Sequence, residues 1–254
     1  MLITMSKVQF TIQIANRVVA ISAMFNSTHK YCESFLSKKE PDFCIDISMQ
    51  DIEYERIIAD RECKIEGLPA KNIDITLFEH TALQRKIAEK LFEFDTLLFH
   101  GSVVAVNGYS YLFTAKSGTG KSTHTRLWRE MFGDCATMVN DDKPFLRITQ
   151  NTVYACGSPW NGKHRLGNNI CVPLKAICIL ERGEHNEIAR ISAQDAVPML
   201  LQQSNRPQQP ALLPKYLELL EHLTDKIAFY RLKCNMDPEA ARIAYQTMSG
   251  CAKE

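Results

Sequence analysis

Alternating apolar and polar residues predict strands near the start of the chain. Residues 8–22 alternate and then become apolar, with Asn16 and Arg17 between the two stretches, and this pattern is typical of a β-hairpin. Residues 43–47 alternate in the same way and predict a third strand, while residues 52–59 fit either a short helix or a strand. These elements predict an α+β region at the N-terminus.

Helical spacing replaces alternation further along the chain. Leu83, Ile87, Leu91 and Phe94 recur at intervals of three or four residues, and polar residues take the opposite face. This spacing predicts an amphipathic helix over residues 80–95 that packs on a neighbouring element.

A second hairpin is predicted in the middle of the chain. Residues 97–106 and 109–114 are strand-like, and the Asn-Gly pair at 107–108 is a strong signal for a two-residue turn. His100 precedes this turn by as many residues as Ala115 follows it, so the hairpin places the two opposite each other. A histidine there could orient an acceptor group or a carboxylate, or be purely structural, and the spacing leaves both interpretations open.

The remainder of the chain combines predicted strands and helices, and we interpret the chain as an α/β protein. The predicted strands are 136–140, 144–148, 152–156, 174–180 and 228–232, and the predicted helices are 193–203, 215–227 and 238–248, the last with Asp237 as its N-cap. We expect Tyr216, Leu217, Leu220 and Leu223 to form the buried face of the helix at 215–227.

Length and composition are those of a folded protein with a sizeable core. The chain has 254 residues, 45% of them apolar, which fits one large domain or one domain with an appendage. We place the smaller α+β region at residues 1–95 and the main domain at residues 96–254. Thirty Lys and Arg against 29 Asp and Glu leave a net charge of +1, so no overall field directs the chain to nucleic acid or to a membrane.

The cysteines indicate a reducing compartment. There are nine, an odd number, and several lie in apolar runs such as residues 177–179, which is typical of reduced core thiols and makes zinc or disulfides less expected. Residues 1–7 lack the basic-then-apolar layout of a signal peptide, and no apolar run approaches the length of a membrane span. We therefore expect a cytoplasmic protein.

The densest chemical signal is a glycine-bearing loop after the strand at 109–114. Residues 115–123 read Ala-Lys-Ser-Gly-Thr-Gly-Lys-Ser-Thr, which fits the Walker A pattern with Ala115 in place of its first glycine. Gly118 and Gly120 permit backbone angles that turn successive N–H groups toward an anion. An ordinary glycine-serine turn is the alternative, but the lysine, the hydroxyl and the strand-loop-helix context all argue against it.

The residues after the glycines add a helix, a cation and a metal ligand. A helix is expected from Lys121 to about Arg129, with its positive end directed at bound phosphates. Lys121 would reach the β- and γ-phosphates, and the Ser122 hydroxyl would bind Mg²⁺. The segment therefore predicts a site for ATP and Mg²⁺.

An acidic pair follows the strand predicted at 136–140. Asp141 and Asp142, at a strand end beside such a loop, make a Walker B arrangement. One carboxylate could hold Mg²⁺ or its waters, and the other could accept a proton from an attacking hydroxyl. A solvated turn is the alternative.

A polar loop at residues 157–169 is basic at Lys163, His164 and Arg165. A fixed ammonium or guanidinium there, with Arg165 as the catalytic candidate, would offset charge on a transferring phosphoryl group. A solvated surface loop is the alternative.

Three motifs together resemble the HPr serine kinase/phosphorylase family. They are His100-Gly101 before a hairpin, the loop at residues 116–123, and the Asp141-Asp142 pair. The loop is also similar to the phosphate loop of ATP-dependent phosphoenolpyruvate carboxykinase, which shares that family's nucleotide-binding fold. The resemblance covers residues 97–147 well and the remainder to about residue 234 more loosely. It implies an α/β fold with a P-loop kinase core.

The resemblance also implies roles for individual residues. Phosphate binding is implied for Ser117, Gly118, Thr119, Gly120, Lys121, Ser122 and Thr123, with Ser122 also a Mg²⁺ ligand. Asp141 would be the proton acceptor with His100 beside it, and Asp142 would lie nearer the metal, with the order of the two aspartates left open.

Two segments depart from typical HPr kinases, namely residues 158–163 and residues 1–95. Both leave the substrate open. They are more similar to a group of HPr-kinase-like bacterial proteins, some of which resemble kinases that modify ribosomally made peptides. The phosphorolysis of HPr kinases is not implied here, because it depends on C-terminal elements that have no match in this chain.

Motifs and resemblance together predict an ATP- and Mg²⁺-dependent kinase that transfers the γ-phosphoryl group to a hydroxyl, most simply a Ser or Thr of a protein or peptide. A small-molecule kinase acting on an amino acid or another metabolite is one alternative. A nucleotide-gated binding module without catalysis is another. No nucleic-acid or membrane partner is expected, and a homo-oligomer is compatible with the sequence.

Overall fold

The computed structural model describes residues 6–69 and 73–250. Contacts divide the chain into two compact units, the first ending at Lys90 and the second beginning at Leu91. The expectation that residues 1–7 are not a signal peptide falls mostly on residues 1–5, which lie outside the described residues. In the described ranges, none of the helices has both the length and the apolar character that a bilayer crossing requires.

A three-stranded sheet forms the centre of the first unit, with strands in the order β1-β2-β3. The elements are β1 (Val8–Ile14), β2 (Arg17–Ala23), α1 (Asn26–Tyr31), β3 (Phe43–Asp46), α2 (Met49–Ile65) and α3 (Ile75–Leu91), which reaches the unit boundary. The N-terminal hairpin is confirmed. Its turn residues are Ala15 and Asn16, with φ angles of 48° and 64°, and a type I′ turn requires such positive angles at both positions.

Residues 52–59, which the sequence left open between helix and strand, are helical within α2. Ser48 Oγ accepts from the backbone N–H of Asp51 at 3.3 Å, and the Asp51 carboxylate accepts from the backbone N–H of Ser48 at 2.9 Å. This capping box satisfies two N–H groups at the helix start, and its loss would cost about 1 kcal/mol. The next helix, α3, begins at Ile75 and not at residue 80.

The second unit is built on a mixed sheet of nine strands. The strands are β4 (Thr96–Leu98), β5 (Gly101–Val106), β6 (Tyr109–Thr114), β7 (Ala136–Asp142), β8 (Phe145–Ile148), β9 (Val153–Cys156), β10 (Cys171–Arg182), β11 (Glu187–Ile191) and β12 (Ala228–Cys234). The helices are α4 (Lys121–Phe132), α5 (Ala193–Gln203), α6 (Leu213–Lys226) and α7 (Glu239–Ser249). The predicted α/β class is therefore confirmed.

Strand directions gather the candidate site at one end of this sheet. β10 is parallel to β6 and β12, while β5 is antiparallel to both β6 and β7. The carboxyl ends of β6, β7, β10 and β12 therefore lie at the same end as the amino end of β5. In this register Gly101 lies opposite Asp142, and Ser102 lies opposite Asp141.

Helices cover both faces of the sheet. On one face, α4 buries Trp128 against Tyr111 and Phe113 of β6; on the other, α6 buries Tyr216 and Leu223. Each such side chain contributes roughly 1.5–3 kcal/mol through its removal from water. The packing of Trp128 fixes α4, and with it the loop that precedes α4, against the sheet.

The single strand predicted over residues 97–106 is interrupted at Phe99 and His100. The backbone N–H of Phe99 bonds the Pro144 carbonyl at 2.9 Å, and that of His100 bonds the Gln203 carbonyl at 2.7 Å. These bonds lead to neighbouring segments outside the hairpin ladder, so β4 and β5 are separate strands.

Two further predictions need correction. The buried face of α6 includes Leu219, which is 0% exposed, whereas Leu217 is 50% exposed. β11 was not predicted, because it lies at the sheet edge, pairs only with β12, and has largely exposed side chains without a clear alternation.

The prediction of reduced thiols is wrong for one pair of cysteines. Cys156 of β9 and Cys171 of β10 form a disulfide and lie directly opposite each other in the antiparallel register. The sequence did not reveal this pairing, because the strand predicted at 174–180 was too short to include Cys171. The cysteine argument for a reducing compartment therefore no longer holds.

Candidate functional site

The loop between β6 and α4 has the backbone of an anion cradle. Gly118 and Gly120 adopt φ angles of 76° and 120°, in the region that side chains other than glycine rarely occupy. Gly120 is the N-cap of α4 and makes no side-chain capping bond. The first-turn N–H groups of α4 therefore have no capping side chain and can serve a bound anion.

Lys121, the first residue of α4, folds back over this loop. Its Nζ donates to the Ala115 carbonyl at 3.1 Å, and Ala115 is itself buried at the end of β6. Burial lowers the pKa of Lys121 from its ordinary value, against the opposing effect of the Asp142 charge, while the Lys143 charge adds to the lowering. The ammonium group is thus held where the loop turns.

Asp141 is buried, at 5% exposure, in a network that joins three elements. Ser102 Oγ of β5 donates to Asp141 Oδ1 at 2.7 Å and lies 2.8 Å from Thr125 Oγ1 of α4. The carboxylate is therefore tied to the first turns of the helix that follows the glycine loop.

Asp142 has a different set of partners. Its Oδ1 lies 3.2 Å from His100 Nε2 and 3.4 Å from Lys143 Nζ. Burial would raise the pKa of Asp142, but the His100 hydrogen bond and the Lys143 charge outweigh it and lower the pKa below its ordinary value. The expectation that His100 lies beside Asp141 is corrected, since the imidazole contacts Asp142.

The loop at residues 157–169 packs on the end of β7 and is not a loosely solvated loop. The backbone N–H of Gly162 donates to the Asp141 carbonyl at 2.9 Å, and a Cβ at Gly162 would lie 2.6 Å from that same oxygen. The Asn168 amide donates to the Met138 carbonyl at 2.8 Å, and Ser158 is completely buried. The loop therefore holds a fixed position beside the acidic pair.

These elements enclose a cleft of about 910 Å³. The residues named from the sequence that line it are His100, Gly101, Ser117, Gly118, Gly120, Lys121, Ser122, Thr123, Asp141, Asp142, Lys163 and His164. The structure does not bring Arg165 to this cleft. Thr119 lines a second cavity on the other side of the loop.

Several residues that line the cleft were not singled out from the sequence. They are Ser102, Thr125, Arg126, Arg129, Gly162 and Leu166. A usable signal existed in α4, because Arg126 and Arg129 follow Ser122 at helical spacing and so share its face. Ser102 carried no signal, because its role depends on strand register.

The second cavity has a volume of about 510 Å³ and a largely apolar lining that includes Leu127, Leu180 and Met236. Arg182 also lines it and donates from Nη2 to the Gly118 carbonyl at 2.6 Å. The glycine loop therefore separates a polar cleft from an apolar pocket.

The oxygen atoms near the loop are of the kind that hold Mg²⁺ together with the phosphates of a substrate. Among the described residues there is no group of three or more His, Cys, Asp and Glu that could hold a metal ion. The Ser122 hydroxyl and the two carboxylates line one cleft, and Mg²⁺ is usually held by one or two carboxylates together with substrate phosphates.

Comparison with known proteins identifies the family. A family model described as "SynChlorMet cassette protein ScmC" matches residues 62–237, more than half of the chain. The chain belongs to the ScmC family. The match to the ScmC model includes the glycine loop, the acidic pair and the basic loop.

Among solved structures, this ScmC family member is similar to the Hpr(Ser) kinase/phosphatase from Coxiella burnetii. The identity is 12%, the TM-score is 0.35, and the alignment covers 60% of this chain and 99% of that chain. A comparison with curated proteins gives no match.

Proposed function

We propose that this protein is an ATP- and Mg²⁺-dependent kinase with a P-loop core, which transfers the γ-phosphoryl group to a hydroxyl of a protein or peptide. The observation that carries this proposal is that the glycine loop, Lys121, and the two carboxylates of Asp141 and Asp142 line one cleft. Phosphoryl transfer requires mainly positioning and charge neutralisation, and this set of groups supplies both.

The nucleotide would lie across the glycine loop. The loop N–H groups, the start of α4 and the Lys121 ammonium would hold the phosphates in the polar cleft. The apolar pocket beyond the loop, with Leu127 and Leu180 in its lining, would bind the nucleobase of ATP. Arg182, bonded to the Gly118 carbonyl, would keep the loop in place between the two ends of the nucleotide.

The contacts of the acidic pair favour an order of roles opposite to the expected one. Asp141 is tied through Ser102 to α4, so we assign it with Ser122 to Mg²⁺, which when bound would neutralise phosphate charge. We assign Asp142, oriented by His100, as the general base that accepts the proton of the acceptor hydroxyl.

The chemical step then follows from Asp142. Its carboxylate accepts the proton of the acceptor hydroxyl as the oxygen forms a bond to the γ-phosphorus, and the bond between that phosphorus and the β,γ-bridging oxygen breaks. The products are ADP and the phosphorylated acceptor. The low pKa of Asp142 keeps the carboxylate ionised and able to accept this proton at neutral pH.

Transfer of label from [γ-³²P]ATP tests the proposal. The purified protein, Mg²⁺ and cell extract should yield a discrete labelled band, and Lys121→Ala should abolish it. Lys116→Ala is the matched control, because this exposed lysine of the same loop does not line the cleft. ATP binding without labelling of any acceptor, in a protein that is fully folded, would instead identify a nucleotide-gated binding module.

A further inference from the structure

We propose that the cleft recognises its acceptor through carboxylate groups close to the reacting hydroxyl, with Arg129 and Lys163 as the anion-binding side chains. This inference rests on the proposed kinase function and extends it to the class of acceptor. It follows from the two walls of the cleft, which carry cations that the nucleotide site does not use.

One wall is the face of α4 that contains Ser122, Arg126 and Arg129. Arg126 is already paired with Glu130 at 2.6 Å. Arg129 has no carboxylate partner among the described residues, and its Nε is buried without a hydrogen-bond acceptor in that part of the chain. A guanidinium held in this way binds an anion without first breaking an internal ion pair.

A second part of the lining carries Lys163 and His164, both from the loop at 157–169. This loop is anchored by the bond from the Gly162 N–H to the Asp141 carbonyl. Both side chains are exposed, yet their backbone is held in place beside the acidic pair. The backbone of Lys163 therefore lies close to the acidic pair that includes Asp142, the proposed general base, and its exposed ammonium group is accessible to a ligand.

The position of Arg129 separates it from the phosphate cradle. A helix rises about 1.5 Å per residue, so Arg129 lies roughly 10 Å further along α4 than Ser122. Among the described residues that line the cleft, the only acids are Asp141 and Asp142, which we assign to Mg²⁺ and to the chemical step. Because Lys121 belongs to the phosphate site and Arg126 is paired with Glu130, Arg129 and Lys163 are the cations of this lining that can bind an anionic acceptor.

Two sources supply a hydroxyl beside carboxylates, namely a serine or threonine in an acidic peptide segment and a free hydroxy acid. Three fluorescent peptides with one serine flanked by glutamate, glutamine or lysine distinguish the charge requirement, and unlabelled glycerate as a competitor distinguishes the source. Binding is measured by anisotropy with a non-hydrolysable ATP analogue and Mg²⁺.

The glutamate peptide should bind about tenfold more tightly than the glutamine peptide, and its binding should weaken as salt increases. Arg129→Gln and Lys163→Gln should each remove about tenfold of this affinity while leaving the affinity for the ATP analogue within twofold. Arg190→Gln, an exposed arginine of β11, is the control and should change neither affinity. Displacement of the glutamate peptide by millimolar glycerate would support a small hydroxy acid as the natural source.

Equal binding of the three peptides would overturn the inference, as would variants that weaken the ATP analogue but not the peptide. The retained affinity for the analogue shows that each variant is folded. Labelling the same peptides with [γ-³²P]ATP separates the two proposals. Equal labelling of the glutamine and glutamate peptides contradicts the acceptor inference alone, whereas charge-selective binding without any labelling contradicts the kinase proposal alone.

Discussion

His100 Nε2 lies 3.2 Å from Asp142 Oδ1, although the two residues belong to distant parts of the sequence. The contact depends on the pairing of β5 with β7, which places Gly101 opposite Asp142. It also depends on the break before β5, where the backbone N–H of His100 bonds the Gln203 carbonyl. The imidazole thereby orients one carboxylate of the pair and leaves the other to Ser102.

Replacement of each aspartate should separate their roles. Asp142→Asn should lower kcat for phosphoryl transfer by about 10²–10⁴-fold with little change in ATP affinity, because it removes the proposed base. Asp141→Asn should instead raise the Mg²⁺ concentration required for half-maximal rate. The rates are measured with the labelled-ATP assay across a Mg²⁺ titration. A larger loss from Asp141→Asn at saturating Mg²⁺, with Asp142→Asn nearly unaffected, would restore the opposite order.

Loss of the Cys156–Cys171 disulfide should destabilise the second unit. The two cysteines are 15 residues apart, and closure of a loop of this length stabilises a protein by about 3 kcal/mol in the chain-entropy model. The double variant Cys156→Ser/Cys171→Ser should therefore show a lower free energy of unfolding in urea. Cys44→Ser, at an exposed free thiol, is the control. Identical unfolding curves with and without reductant for the wild type would show that the bond contributes nothing.

Acidification should destabilise the fold through His124. Burial lowers the pKa of His124 to about 4, and its Nε2 accepts from Trp128 Nε1 at 3.1 Å. The unfolded state, with a pKa of about 6.5 for histidine, therefore binds the proton first, and stability falls as the pH drops from about 6.5 towards 4. This difference in pKa lowers the free energy of unfolding by about 3 kcal/mol at pH 4. The Tm should fall less between pH 6.5 and pH 4 in His124→Gln than in the wild type. An equal fall of Tm in both proteins would contradict the role of His124.

Gly162→Ala should disturb the acidic pair without unfolding the protein. An added Cβ would lie 2.6 Å from the Asp141 carbonyl oxygen, so the loop at 157–169 must shift, at a cost of about 1–3 kcal/mol. We expect a lower Tm and a loss of phosphoryl transfer in the labelled-ATP assay. Asn169→Ala, at an exposed position of the same loop, is the control. Full activity of Gly162→Ala would show that the close approach of the loop is not needed for transfer.

Local chemistry made the glycine loop and much of the secondary structure predictable. Residues 115–123 combine two glycines, a lysine and a hydroxyl after an apolar strand, and the structure has this strand-loop-helix arrangement with positive φ angles at Gly118 and Gly120. The Asn-Gly turn at 107–108 is also present between β5 and β6. These features depend on neighbouring residues alone, so the linear pattern contains their cause.

Contacts between strands and loops that are distant in the sequence depend on the tertiary structure. The partner of His100, the role of Ser102 and the Cys156–Cys171 pair all depend on register, which short-range patterns do not encode. The approach of the loop at 157–169 to Asp141 depends on packing between distant segments. Local patterns thus determine where the anion cradle and the acidic pair occur, whereas the pairing of β5, β7, β9 and β10 determines which side chains meet, because each such contact requires two segments to be folded against each other.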